Sequence, residues 1–327
     1  MYEAWTMKAY DLVGKRVWVA GERGMVGSAL TRRLASTGAV LVKSGGKTLD
    51  LRRQQAVEDW LASARPDAVF LAAAAVGGIE ANRTRPAEFL YDNLAIAANV
   101  IHGSAETGVE RLTFLGSSCF YPREAEQPVR ESALLEGPLE PTNEAFAVAK
   151  IAGARLCQAY SRQYKKSFIV AVPTNLYGPG DNFDPAGGHV VAGLLWKFHA
   201  ARQSGAECVE IWGTGKPRRE FLYVDDAADA LVFLTENYSE EGPINVAGGE
   251  EVSIADLATL VAEAVGYRGG WRFDISRPDG MPRKVLDGSR LRAAGWRPAT
   301  GLREGIAKTY AWLCASVSRL RGVTERS

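Results

Sequence analysis

Three glycines at three-residue intervals, Gly21-Glu-Arg-Gly24-Met-Val-Gly27, follow the apolar run Arg16-Val-Trp-Val-Ala20 and open a segment with helical spacing from about Gly24 to Ser36. A strand that turns straight into a helix leaves the first-turn N–H groups without intrahelical acceptors, and the helix dipole favours an anion there. Glycine permits the tight turn, lets backbone approach a pyrophosphate, and allows the helix to pack closely on the strand. Three glycines alone are a weak signal. Inside a first strand–turn–helix unit they predict a dinucleotide-binding turn over a purely structural one.

The rest of the chain repeats that unit. Short apolar runs recur at Val40–Val42, Ala68–Ala74, Leu112–Leu115 and Phe168–Pro173, separated by helical patterns at Gln55–Ala64 and Glu88–Glu106. Strands alternating with helices of this length predict an α/β fold, a Rossmann-type doubly wound parallel sheet covered on both faces. From Tyr177 the chain becomes rich in Gly and Pro. Isolated strands at Val209–Trp212, Phe221–Val224, Ile244–Ala247 and Trp271–Phe273 then mix with helices after His189 and at Asp225–Leu234 and Ile254–Val265. The expected organisation is an N-terminal extension over 1–14, a cofactor domain over 15–176 and, over 177–320, mainly a smaller C-terminal α/β substrate lobe, some of whose segments return to the main sheet. Because Met7 is itself a possible start, the first six residues read as an extension.

At 327 residues, 46% of them hydrophobic, the chain is long enough for two domains of ordinary size. Its 39 basic and 38 acidic residues cancel to +1, which argues against a dedicated nucleic-acid partner. The longest apolar stretches, such as 68–76, fall far short of the roughly 20 residues of a membrane span, and the N-terminus has no basic region leading into an apolar core. Cys119, Cys157, Cys208 and Cys314 lack the CxxC pairs of a metal site and the density of a disulfide scaffold. A reduced cytoplasmic enzyme without a metal is expected.

The run Val40-Leu-Val42 ends on Lys43-Ser-Gly-Gly-Lys47, with no acid to hydrogen-bond an adenosine ribose. Lys43, Lys47 and Arg23 instead suit a 2′-phosphate, which favours NADP over NAD; solvated surface lysines are the competing account. Asp50, the first acid downstream, either contacts the adenine side or simply closes a turn. Further on, Leu115-Gly-Ser117-Ser118-Cys119-Phe-Tyr-Pro leaves an expected parallel strand at its carboxyl end, where ligands of such sheets sit. Phe146 and Lys150, one helical turn apart in Pro141-Thr-Asn-Glu-Ala-Phe146-Ala-Val-Ala-Lys150, share a helix face.

With these residues the sequence resembles the extended short-chain dehydrogenase/reductases. The likeness is closest to the branch that epimerises GDP-4-keto-6-deoxy-D-mannose at C3 and C5 and reduces it at C4 with NADPH. The matching motifs are GERGMVGSA (Gly21–Ala29), LAAAAVGGI (Leu71–Ile79), GSSCFYP (Gly116–Pro122), LEPTNEAFAVAKIAG (Leu139–Gly153), PTNLYGP (Pro173–Pro179), Asp181–Phe183 with His189, REFLYVDD (Arg219–Asp226) and PDGMPRKVLD (Pro278–Asp287). They keep family order and span almost the whole chain.

The resemblance implies that Cys119 is the base and His189 the acid of epimerisation, chemistry that a low-pKa thiol and an imidazole can perform. It implies that Ser117 bonds the substrate carbonyl and that Lys150 binds the nicotinamide ribose and lowers the pKa of a catalytic tyrosine. It places Gly21, Arg23, Gly24, Met25, Val26, Gly27, Leu115, Gly116, Pro173, Asn175, Leu176 and His189 around the cofactor. Ser118, Asn175, Lys197, Trp212, Arg219, Asp279 and Lys284 would serve a GDP-4-keto-6-deoxy sugar, with Trp212 as lobe core the alternative. It also implies a homodimer through the helix that carries Lys150 and the helix before it. The tyrosine position holds Phe146, which has no hydroxyl to donate a proton or polarise the ketone. Three accounts fit that departure: an engineered knockout, a natural variant biased toward epimerisation, and a non-catalytic nucleotide-sugar binder.

Overall fold

The computed structural model describes residues 10–44, 49–184, 188–277 and 279–317. Its first strand, β1 (Arg16–Ala20), sends Val17 and Val19 into one buried cluster and Trp18 and Ala20 into another. Side chains of a strand alternate, so a continuous apolar run means burial on both faces. The elements β2 (Val40–Val42), β3 (Ala68–Leu71), β4 (Arg111–Leu115) and β5 (Ser167–Pro173) follow, separated by α1 (Met25–Leu34), α2 (Gln54–Ala64), α3 (Ile79–Thr84), α4 (Pro86–Glu106) and α5 (Glu144–Tyr164). Beyond them run β6 (Asn175–Tyr177), α6 (Val190–Ser204), β7 (Cys208–Trp212), β8 (Arg218–Tyr223), α7 (Val224–Asn237) and β9 (Pro243–Val246). The chain continues with β10 (Glu250–Ser253), α8 (Ile254–Val265), β11 (Gly270–Asp274), β12 (Arg283–Lys284), α9 (Ser289–Ala293) and α10 (Leu302–Ser316).

Six parallel strands form the main sheet in the order β2-β1-β3-β4-β5-β9. Helices α1 and α7 cover one face, and α2, α4 and α5 the other. Both α7 and β9 come from the part of the chain after Tyr177, so the late segments do return to the main sheet. The strand order reverses between β1 and β3, and the crevice outside their carboxyl ends is where such sheets take ligands. β3 stops at Leu71, short of the expected Ala74, because the buried Asn93 of α4 takes both the N–H and the C=O of Ala75. Those groups are thereby lost to the ladder, and the chain leaves as a loop over the crevice. A second, mixed sheet (β10-β8-β12, with β6 beside β8) and the parallel pair β11-β7 share a third core with α6, α8 and α10. Among the described residues no helix is long and apolar enough to cross a membrane.

Two buried polar side chains join these parts. Glu220 on β8, 3% exposed, accepts hydrogen bonds from the N–H groups of Gly248 and Gly249 after β9 and of Leu286 after β12. Asn245 of β9, fully buried, accepts from the Tyr121 hydroxyl and donates to the carbonyls of Val129 and Asp287. Unmade, such bonds would cost about 1–3 kcal/mol each; made, they fix the loop after β4 against the segment around Lys284.

Packing of α5 on the sheet leaves no room at Gly153, where a Cβ would lie 2.5 Å from the ring of the buried Phe114. By helix propensity alone Gly153→Ala would stabilise α5 by about 1 kcal/mol, but overpacking costs about 1–3 kcal/mol. Taking overpacking against the buried Phe114 ring at about 2–3 kcal/mol, the net loss is about 1–2 kcal/mol, and Gly153→Ala is expected to lower the thermal midpoint by about 2–8 °C in a calorimetric scan. An unchanged or raised midpoint would refute this packing.

Candidate active site

The turn after β1 is built as a cradle. Gly21 has φ +96°, and a Cβ there would lie 2.7 Å from the Ala73 nitrogen; one at Gly27 would lie 2.0 Å from the Gly21 carbonyl oxygen. Neither backbone can yield, so both positions require glycine. At Gly24 a Cβ would meet only the Gly21 oxygen, at 3.5 Å, and would otherwise fill the mouth of the crevice. No side chain caps α1 and no acid occupies its first turn, so the N–H groups of Met25, Val26 and Gly27 have no intrahelical acceptors, an arrangement that suits an anion. The loop Gly178-Pro-Gly180 closes on α1, with the Cβ position of Gly180 3.5 Å from the Met25 Cα.

Arg23 and Lys43 are exposed at this edge and have no carboxylate partner among the described residues; Lys47 lies outside those residues. Asp50 takes the turn role. Its carboxylate accepts from the Arg52 N–H and pairs with the Arg52 guanidinium, which also reaches Asp92 of α4.

Ser117, Ser118 and Cys119 emerge from β4 in a short 3₁₀ turn against which α5 packs. The Ser117 hydroxyl accepts from the Cys119 N–H at 3.2 Å, and Ser118 is buried beneath. Lys150, 5% exposed, donates to the Leu115 carbonyl at 2.8 Å, and its ammonium lies 5.7 Å from the Phe146 ring centroid and 4.9 Å from that of Phe114. Burial among these rings pushes its pKa down to about 8, against the opposing pull of Cys119. Gly116 sits where a Cβ would strike Phe120. Pro173 and Leu176 flank Thr174 and Asn175, and Asn175 donates to the Glu220 carbonyl at 2.8 Å.

Cys119 has partners that its sequence neighbourhood does not show. Asn143, just before α5, donates its amide to the sulfur at 3.2 Å, and Lys284 of β12 donates its ammonium at 3.5 Å. Burial disfavours the thiolate, but the Lys284 charge and hydrogen bond, the Ser117 hydroxyl beside it and nearby His189 outweigh it and hold the thiol below its ordinary value. His189 caps the start of α6, with Nδ1 3.2 Å from a carboxylate oxygen of Asp181. The carboxylate accepts, so Nδ1 carries the proton and Nε2 is left for chemistry. Asp181 raises the imidazole pKa against its partial burial, and the second oxygen of Asp181 is buried without a partner.

Trp212, at the end of β7, is 51% exposed, which rules out the lobe-core alternative. Lys197 and Arg277 lie over its indole at 5.1 and 5.0 Å. Lys197 is held by the Glu210 carbonyl. Asp279 accepts from both the N–H and the hydroxyl of Thr214, which shapes the loop beside Trp212. Arg219 stands in register with Lys284 and near Asp279; burial lowers its pKa and Asp279 opposes that. Pro278 and residues 185–187 lie outside the described residues. Sequence reasoning missed Asn143, Asp181 as the partner of His189, Arg277, and the bond between Lys284 and Cys119. Only Asp181 and Asn143 left a trace, as motif neighbours of His189 and Phe146. Among the described residues there is no cluster of side chains that suits a metal ion.

Residues 17–247 match the model of the NAD dependent epimerase/dehydratase family. The chain is 54% identical over 312 residues to a GDP-L-fucose synthase of Sinorhizobium fredii, an alignment covering 95% of this chain and 99% of that one. It is 48% identical over 318 residues to the GDP-L-fucose synthase of Escherichia coli, covering 94% and 99%. A crystal structure of a GDP-L-fucose synthetase from Naegleria fowleri bound to NADP superposes with a TM-score of 0.88 at 30% identity, covering 96% of this chain and 98% of that one. The chain belongs to the NAD dependent epimerase/dehydratase family and, within it, to the GDP-L-fucose synthases.

Proposed function

We propose that the chain binds NADP(H) and GDP-4-keto-6-deoxy-D-mannose, inverts C3 and C5 through Cys119 and His189, and completes GDP-L-fucose slowly because Phe146 has no proton to give. The observation that carries this reading is the pairing of a thiol held by two donors with an imidazole whose tautomer Asp181 fixes. The names of the relatives support the substrate class. The cradle at Gly24, the uncapped α1 and unpartnered Arg23 and Lys43 suit a dinucleotide with a 2′-phosphate.

The C4 ketone acidifies the hydrogens on C3 and C5. Cys119 as thiolate takes each proton in turn, and His189 as imidazolium returns one to the opposite face of the carbon. NADP(H), when bound, supplies the hydride for C4. Lys150 is mostly protonated at pH 7 and is placed to hold a ribose hydroxyl, while Ser117 offers a hydrogen bond to the ketone oxygen. At the point where the proton for the new hydroxyl should originate stands the Phe146 ring. Retention of Ser117, Cys119, Lys150 and His189 opposes the account of an inert binder. The same reading includes a homodimer through α4 and α5, which lie side by side with Tyr91 and Val148 exposed; a monomer mass by sedimentation would remove that part.

Without a positioned general acid, reduction is slower by about 10² to 10⁴, so Phe146→Tyr is expected to raise C4 reduction by that factor, followed by NADPH absorbance. A revertant with no reductase activity on keto-deoxy nucleotide sugars would end the assignment. Epimerisation needs no hydride, so deuterium from D₂O is expected at C3 and C5 of the sugar by NMR even without NADPH; an inert binder incorporates none. The exchange rate should fall in acid as the Cys119 thiolate gains a proton, and in alkali as the His189 imidazolium loses one. Asp181 raises the imidazole pKa, so Asp181→Asn is expected to move the alkaline limb to lower pH and leave the acid limb in place. A profile that does not move would show that Asp181 does not set the proton of His189.

A further inference from the structure

The sulfur of Cys119 is met by donors from two elements far apart in the chain, at 3.2 Å from Asn143 and 3.5 Å from Lys284. The conformation of Lys284 is not left to chance. It lies on β12 opposite Arg219 of β8, and successive strand residues point to opposite sides. Arg283 therefore turns the other way, onto both oxygens of Glu251 at 2.7 and 2.9 Å. The next two N–H groups are bound by Gln127 and Glu220. Among the described residues Lys284 has no carboxylate partner, and the sulfur is the one hydrogen-bond acceptor of its ammonium.

Other charges also face the thiol. Lys150 approaches from α5, although its ammonium is bound to Leu115, and His189 from the start of α6. Glu140 lines the same small cavity and would oppose an anion, but its carboxylate accepts from Thr142 and lies 3.6 Å from Arg123. Lys284 is thus the cation in direct hydrogen-bond contact with the sulfur.

We propose that Lys284 holds Cys119 as an anion ready to abstract a proton, with Asn143 as the second donor, which makes Lys284 a positioning residue of the epimerisation and not only a contact of the nucleotide sugar. The inference rests on Cys119 being the base. It is tested without substrate, by the rate at which iodoacetamide alkylates Cys119 as a function of pH. The measurement is made in a Cys208→Ser/Cys314→Ser background, because those two thiols are exposed while Cys157 is buried. Lys284→Met is expected to raise the alkylation midpoint by one pH unit or more, a fall of about tenfold in rate at pH values below the wild-type midpoint, and to move the acid limb of C5 deuterium exchange by the same amount. Lys284→Arg should restore most of both, and Lys284→Gln gives a second neutral variant should the methionine disturb folding. If folded neutral variants alkylate with the wild-type pH profile while losing affinity for GDP-sugars, Lys284 serves the ligand and the proposal falls. A shifted midpoint supports the hold on the thiolate even if the wild-type protein exchanges no deuterium, in which case the epimerase reading alone fails.

Discussion

The site depends on a carboxylate that solvent hardly reaches. Glu220 sits on β8, in the sheet outside the main one, yet its acceptors bind backbone donors after β9, which belongs to the main sheet, and after β12. Burial raises its pKa and the backbone bonds resist that rise. Buried polar networks of this kind hold one arrangement because every alternative leaves a donor or acceptor unpaired. Asn245 does the same one strand away, through Tyr121, Val129 and Asp287. Together they set the loop carrying Ser117 to Cys119 against the strand carrying Lys284, so the Cys119 thiol lies at the seam between two sheets.

Around that seam the charges follow a single logic. The centre contains Lys150, Lys284 and His189, and the group they surround is a thiol. Burial disfavours the Cys119 anion but Lys284 and His189 outweigh it; burial lowers Lys150 and Cys119 opposes that; Asp181 raises His189 and Cys119 adds to the rise. Beside these charges Phe146 contributes a ring and no hydroxyl, with the Lys150 ammonium over its face.

The parallel sheet was legible because its evidence is local: apolar runs of strand length, helical spacing between them, and glycines where a turn needs them. Boundaries were less so. β3 ends at Leu71 because a side chain on α4 competes for Ala75, a contact between residues 18 apart. Candidate side chains were legible where a motif carries them, as for Ser117, Cys119, Lys150 and His189. Contacts were not where the partner is distant: Lys284 lies 165 positions from the sulfur it binds. Trp212 could be read equally as core or as surface, since indole suits both, and only its exposure decides.

By itself, then, the sequence determined the class of sheet, the glycine turn after β1 and the absence of a hydroxyl at residue 146, because each is written in adjacent residues or in the chemistry of one side chain. Tertiary structure decided which cation meets the thiol, which carboxylate orients the imidazole, and that Asp50 closes a turn instead of offering a free acid. Those outcomes depend on distances between segments, and the distances are set by buried hydrogen bonds that no local pattern records.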